Sequence, residues 1–185
     1  EVSVIVNDRL IRIKNTINQL QELNSKFVIL SHLGRPKGIN NKDLSLSKIT
    51  DQLEEVLNSK INFINDCIGD EVKKKINSFD QSSITLLENC RFHKGEEENN
   101  LQFAKKLSEL ADVYVNDAFG CVHRSHASVD AITQYMPSYV GNLLDEELTN
   151  LHNITDEPES PSITILGGSK ISTKISVLKN LSIKM

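Results

Sequence analysis

Three times along the chain a short apolar run ends in a polar loop that carries an arginine. Phe27–Leu30 leads into Ser31–Gly38 with Arg35, Ser83–Leu87 into Glu88–Glu98 with Arg91, and Val113–Val115 into Asn116–His126 with Arg124. Short runs rich in β-branched and aromatic residues, bounded by turn residues, read as buried strands. Helical periodicity fills the stretches between them. Leu10, Ile13, Ile17 and Leu20 mark a helix from about Arg9 to Leu23, capped by Asp8. Leu46, Ile49, Leu53, Val56 and Leu57 mark a second over Ser45–Leu57, and Leu101, Ala104, Leu107 and Leu110 a third from Glu96 to about Leu110. Ile61–Ile64 reads as a further strand and Asp66–Lys75 as a charged helix. Such alternation implies an α/β fold: a Rossmann-like, mostly parallel sheet with helices on both faces. Parallel strands share one C-terminal edge, and open α/β sheets bind ligands there.

The basic residues sharpen that expectation. Of 21 lysines and arginines, only Arg9, Arg12, Arg35, Arg91 and Arg124 are arginine. Lysine supplies the general solvation, so each arginine invites a specific reason, because its planar fork binds carboxylate and phosphate as lysine cannot. Arg35, Arg91 and Arg124 leave strands at one edge, His32 joins them, and Arg9 does so if its helix starts there. Positive charge gathered without matching acids suits a small polyanion. A net charge of −4 argues against a general nucleic-acid or membrane surface. Cys67, Cys90 and Cys121 are odd in number and widely spaced, which reads as reduced thiols in a cytoplasmic protein. No stretch reaches the roughly 20 apolar residues of a membrane-spanning helix. His123 and His126 stand three apart but have no evident third ligand, so no metal site is expected. Glu96–Glu98 read as acids favoured in a helix's first turn.

After a helix over Gly141–Ile154, the stretch Thr155–Ser162, with Pro158 and Pro161, is the best domain boundary. Ile163–Leu166 then reads as a strand, Gly167-Gly168-Ser169-Lys170 as a turn, and Ile171 onward as a helix. Strand, glycine turn and helix N-terminus together favour phosphate, and Lys170 and Lys174 can reach one point. The expected organisation is an anion-binding domain over 1–140, an interdomain helix and linker over 141–162, and the start of a second α/β domain over 163–185. Two anion sites on two domains suggest phosphoryl transfer, in which catalysis is mainly positioning and charge neutralisation.

Four motifs in one register carry a resemblance. S-H-L-G-R-P (Ser31–Pro36), L-L-E-N-C-R-F-H-K-G-E (Leu86–Glu96), N-D-A-F-G-C-V-H-R-S-H (Asn116–His126) and I-L-G-G-S-K-I-S-T-K (Ile165–Lys174) together resemble the phosphoglycerate kinase family. The resemblance implies reversible phosphoryl transfer between 1,3-bisphosphoglycerate with ADP and 3-phosphoglycerate with ATP, a glycolytic step performed by hinge closure of two lobes. It implies that Arg9, His32, Leu33, Gly34, Arg35, Arg91 and Arg124 hold the phosphoglycerate anion. Gly167, Gly168, Lys170 and Lys174 would contact the nucleotide, and Arg9, Lys170 and Lys174 would be catalytic. Mg2+ would arrive with ATP or ADP, its ligands lying outside this sequence, and the enzyme would be a cytoplasmic monomer. The family's opening Asp-Phe/Leu-Asn stretch and most of its nucleotide lobe have no counterpart here. The expectation is therefore a fragment that does not turn over alone. Two other readings use the same residues: a non-catalytic sugar-phosphate or anion-binding module, and a structural lobe whose arginines pair with its acids.

Overall fold

In a computed structural model of the chain, residues 10–23, 25–156, 160, 161, 163, 165, 175 and 179 are described. The chain divides into two units, Glu1–Leu143 and Leu144–Met185.

The first unit is built on three parallel strands, β1 (Phe27–Ile29), β2 (Ile61–Ile64) and β3 (Ile84–Leu87), in the order β1-β3-β2. Their register places Phe27, Ile84 and Ile61 side by side, then Val28, Thr85 and Asn62, then Ile29, Leu86 and Phe63. Successive strand residues point to opposite faces, so this register sorts the side chains into two cores. Phe27, Ile61, Ile84 and Leu86 join one, with Leu10, Ile17, Leu46, Leu53 and Leu57. Ile64 and Leu87 join the other, with Val72, Ile76, Phe103, Ala104 and Leu107. Helices α1 (Lys14–Glu22) and α2 (Thr50–Leu57) thus cover one face, and α3 (Asp70–Ser78) and α5 (Leu101–Ser108) the other. Leu53 is 1 % exposed. Truncating so buried a leucine to alanine costs about 2–5 kcal/mol.

Several expected elements differ in detail. The helix expected over Ser45–Leu57 opens as a 3-10 turn, Leu46–Ile49, before α2. The reason lies at Ser45 and Leu46, which donate to the two oxygens of Glu88, from Oγ at 2.6 Å and from N at 2.9 Å, and so fix the entry of the chain. The charged helix expected from Asp66 starts at Asp70 as α3, because Asp66 spends its carboxylate on the Cys67 amide (2.7 Å) and on His93. The helix expected from Glu96 to Leu110 is two helices, α4 (Lys94–Glu97) and α5. Asn99 breaks it at φ 52°, and Asn100 caps α5 by accepting the Phe103 amide at 3.0 Å. Leu101 therefore sits at the start of a helix and is exposed rather than buried.

The strand expected at Val113–Val115 is β4 (Tyr114–Asn116), and it pairs in parallel with a strand not anticipated from the sequence, β5 (Ser138–Val140). All three residues of β5 are exposed, so they carry no alternation to read. These two strands form a separate sheet from β1-β3-β2. Asp117, just after β4, accepts Thr16 Oγ1 of α1 at 2.6 Å and the Leu143 amide at 2.8 Å. Gly141 lies so close to Asp117 that a Cβ there would collide with the carboxylate.

Helix α6 (Asn142–Thr155) runs through the boundary into the second unit. The sequence places Leu143, Leu144, Leu148 and Leu151 on one buried stripe. Leu144 is buried, whereas Leu148 and Leu151 are exposed. An apolar stripe records only the capacity to be covered. The strand expected at Ile163–Leu166 and the turn Gly167–Lys170 lie outside the described residues, apart from Ile163 and Ile165.

Candidate functional site

The loop after β1 and the loop after β3 form one unit. Ser31 O accepts the Cys90 amide at 3.2 Å, and Arg91 O accepts the Gly38 amide at 3.1 Å. Asn89, 1 % exposed, donates from Nδ2 to Leu33 O at 2.8 Å and to Leu44 O at 2.9 Å, and accepts the Arg91 amide at 3.1 Å. Its neighbour Glu88 accepts the Asn89 amide at 2.8 Å, besides Ser45 and Leu46. A buried carboxylate and a buried carboxamide thus fix both loops without solvent. Gly34 and Gly38 stand at φ 65° and 74°, the left-handed region that glycine enters without strain. A Cβ on Gly38 would run into Lys94.

Arg91 is 3 % exposed. Its Nη1 donates to Gly34 O at 2.8 Å, and its Nε stands 3.6 Å from Glu97 Oε1, beyond hydrogen-bond reach. Arg91 Nε and Nη2 are buried without a hydrogen-bond partner, and so is Arg124 Nε. Leaving charged donors orphaned in the interior is costly. Of the five buried side-chain atoms without a partner among the described residues, three gather on the two arginines.

Arg124 reaches this neighbourhood by a route that the shared-edge argument does not foresee, since β4 belongs to the other sheet. The segment after it is tied to α4: Glu96 O accepts the Ala127 amide at 2.9 Å, and the Glu96 carboxylate accepts Ser128 N at 3.0 Å and Ser128 Oγ at 2.6 Å. His126 lies between, its Nδ1 3.6 Å from Glu96 Oε1. Burial pushes the His126 pKa below the ordinary histidine value; Glu96 and Glu97 draw it up, and Arg91 and Arg124 push it down. One imidazole therefore feels both guanidinium groups and both carboxylates. Glu96, expected as a helix-start acid, is 1 % exposed.

Of the other anticipated residues, His32 and Leu33 are half-buried in the first loop, and Leu33 packs against the first of the two cores. Arg35 is exposed beside the buried Pro36. Arg9, Gly167, Gly168, Lys170 and Lys174 lie outside the described residues. The sequence assigns no site role to Glu88 or Asn89 beyond their motif, and reads Glu96 only as a helix-start acid and His126 only as half of an incomplete metal pair. Their signal was adjacency, because each lies within five residues of Arg91 or Arg124.

A hard cation such as Mg2+ takes oxygen ligands. Among the described residues, three potential ligands gather within 4.8 Å at Asp66, Cys67 and His93. That set carries a thiol and an imidazole, and its Cys67 thiol is pushed far up by burial, so it does not fit Mg2+.

The phosphoglycerate kinase family model matches residues 1–185. The chain is 47% identical over 177 residues to the phosphoglycerate kinase of Wolbachia sp. subsp. Drosophila simulans, which covers 96% of this chain and 44% of that protein. It is 46% identical over 183 residues to the one from Dictyoglomus turgidum, covering 98% and 46%. Among solved structures, phosphoglycerate kinase from Coxiella burnetii superposes with a TM-score of 0.83 at 37% identity, over 96% of this chain and 44% of that one. The enzyme from Pyrococcus horikoshii superposes at 0.85 and 29% identity, over 95% and 45%. The chain thus spans less than half the length of these relatives. With the family's motifs in register and its fold reproduced, the chain belongs to the phosphoglycerate kinase family.

Proposed function

We propose that the chain binds the phosphoglycerate anion within residues 1–140, as part of an enzyme that moves a phosphoryl group between 1,3-bisphosphoglycerate with ADP and 3-phosphoglycerate with ATP. The observation that carries this reading is Arg91, a buried guanidinium with two nitrogens, Nε and Nη2, lacking an acceptor. A carboxylate or phosphate oxygen supplies the missing acceptor, and charge-assisted bonds of this type contribute about 1.5–3 kcal/mol each.

In this reading Arg91 and Arg124 grip the anion from two loops. Arg35, His32 and the Leu33–Gly34 backbone line its other side. Arg9 stabilises charge on the group in flight. Residues 163–185 begin the nucleotide-binding lobe, where Gly167, Gly168, Lys170 and Lys174 receive the phosphates of ATP or ADP, bound as its Mg2+ complex. The enzyme acts as a cytoplasmic monomer on these small molecules, without nucleic acid or membrane. No helix among the described residues is long and apolar enough to cross a membrane.

The test is the Lys174→Ala variant of the complete enzyme, followed by phosphoglycerate-dependent ATP consumption and by phosphoglycerate binding. The reading expects turnover to fall at least 100-fold with phosphoglycerate affinity unchanged, given the size of single electrostatic contributions to catalysis. Unchanged turnover would contradict it.

A further inference from the structure

We propose that Glu96 is a positioning residue for Arg124: it anchors the segment just beyond Arg124 to α4 and so holds the Arg124 side chain in place while leaving its donors open to an anion. The proposal rests on the phosphoglycerate-binding reading for its ligand, but not for its geometry.

The geometry begins with a charge in an unusual place. Glu96 is 1 % exposed yet makes no direct ion pair with either arginine among its described contacts. Its bonds go instead to the segment just beyond Arg124. The carboxylate takes both the amide and the hydroxyl of Ser128, and the backbone carbonyl takes the amide of Ala127. Within that segment the His126 amide donates to Arg124 O at 3.0 Å, and the Arg124 amide to Cys121 O at 3.0 Å. Arg124 is therefore held between a turn on one side and the Glu96 anchor on the other. The next residue of the same helix, Glu97, puts its carboxylate 3.6 Å from Arg91 Nε. One turn of α4 thus addresses both arginines.

The chemistry follows from where the charge sits. A carboxylate bonded directly to Arg124 would occupy the donors that an anion needs. The Glu96 carboxylate, bonded to the Ser128 amide and hydroxyl instead, anchors the segment and leaves those donors open.

The test separates shape from charge. Gln at position 96 can accept from the Ser128 amide and donate to its hydroxyl, whereas Ala can do neither. In ligand-free protein, Glu96→Ala is expected to speed hydrogen exchange at the Arg124 and His126 amides at least tenfold, with strand β3 unchanged and Glu96→Gln near wild type. Calorimetric titration with 3-phosphoglycerate is expected to show affinity at least tenfold weaker in Glu96→Ala and within about threefold of wild type in Glu96→Gln. Should Glu96→Ala not fold, Ser128→Ala removes the hydroxyl bond alone and is expected to weaken binding several-fold. Wild-type exchange and affinity in either Glu96→Ala or Ser128→Ala would overturn the positioning role. Absence of phosphoglycerate binding by the wild type, with the exchange difference intact, would overturn the substrate reading and leave the positioning role standing.

Discussion

Arg91 Nη1 lies 2.8 Å from the carbonyl oxygen of Gly34, so a guanidinium from the loop after β3 closes onto the backbone of the loop after β1. The rest of that side chain is buried with Nε and Nη2 unbonded. A group so placed works against stability in the free protein. Replacing Arg91 by Met fills similar volume without a buried charge, and Gly34 is exposed, so its carbonyl turns to water. Arg91→Met is expected to melt at or above the wild-type temperature. A saturating anion, at about 100 times its dissociation constant, stabilises a single-site protein by about 2.7 kcal/mol. Thermal scans with and without 3-phosphoglycerate should show that shift in the wild type and lose it in the variant.

Asn89 is the opposite case, a buried polar group with three bonds to protein partners. Asn89→Ala strands the Arg91 amide in the interior and leaves the half-buried carbonyls of Leu33 and Leu44 without their donor. The expected cost is about 3 kcal/mol, read as a lower urea midpoint with unchanged m-value. The same variant should lose phosphoglycerate affinity, because both loops are released.

The thiols should respond unequally to alkylation. Burial pushes Cys67 and Cys90 well above the ordinary thiol value, while Cys121 is only half-buried. The thiolate is the reactive form. Native protein at pH 8 is expected to label at Cys121 alone, and denatured protein at all three; mass spectrometry of digests assigns the sites.

His126 gives the fold a dependence on pH. Its folded pKa lies below the ordinary 6.5, chiefly through burial. The unfolded chain then binds more protons than the folded one as pH falls below 6.5, so stability drops in that direction and levels off below the folded pKa. Above 6.5 the group contributes no slope. Urea melts at pH 5.5 and 7.5 should show a loss on the acid side that shrinks in His126→Asn.

Much of this was legible in the sequence because the code was local. Phe27–Ile29 and Ile84–Leu87 alternate between two cores, and their apolar residues announce it. Gly34 and Gly38 marked a turn that needs positive φ, and both have it. The break at Asn99–Asn100 was also written there, as two turn-forming residues inside a helical pattern, but the leucine period outweighed it. What could not be read was long-range. Ser138–Val140 is exposed on every residue and becomes a strand only by pairing with Tyr114–Asn116. Glu96 looked like a helix-start acid, since nothing local tells that Ser128, 32 residues away, waits for it. Convergence of Arg124 with Arg91 was expected from a common sheet edge. But β4 belongs to the other sheet, and the segment after Arg124 is joined to the first sheet's helices by Glu96, by Asn99 and by the packing of Ala127, Ala131 and Ile132 against Phe103 and Ala104.

The central claim is that loops from separate strands make one anion site. Calorimetric titration of the wild type with 3-phosphoglycerate, beside Arg35→Ala, Arg91→Met and Arg124→Ala, tests it most directly. Each variant is expected to bind more than about tenfold more weakly, the loss of roughly 1.4 kcal/mol or more that a charge-assisted bond supplies. Wild-type affinity in Arg91→Met and Arg124→Ala would contradict the account.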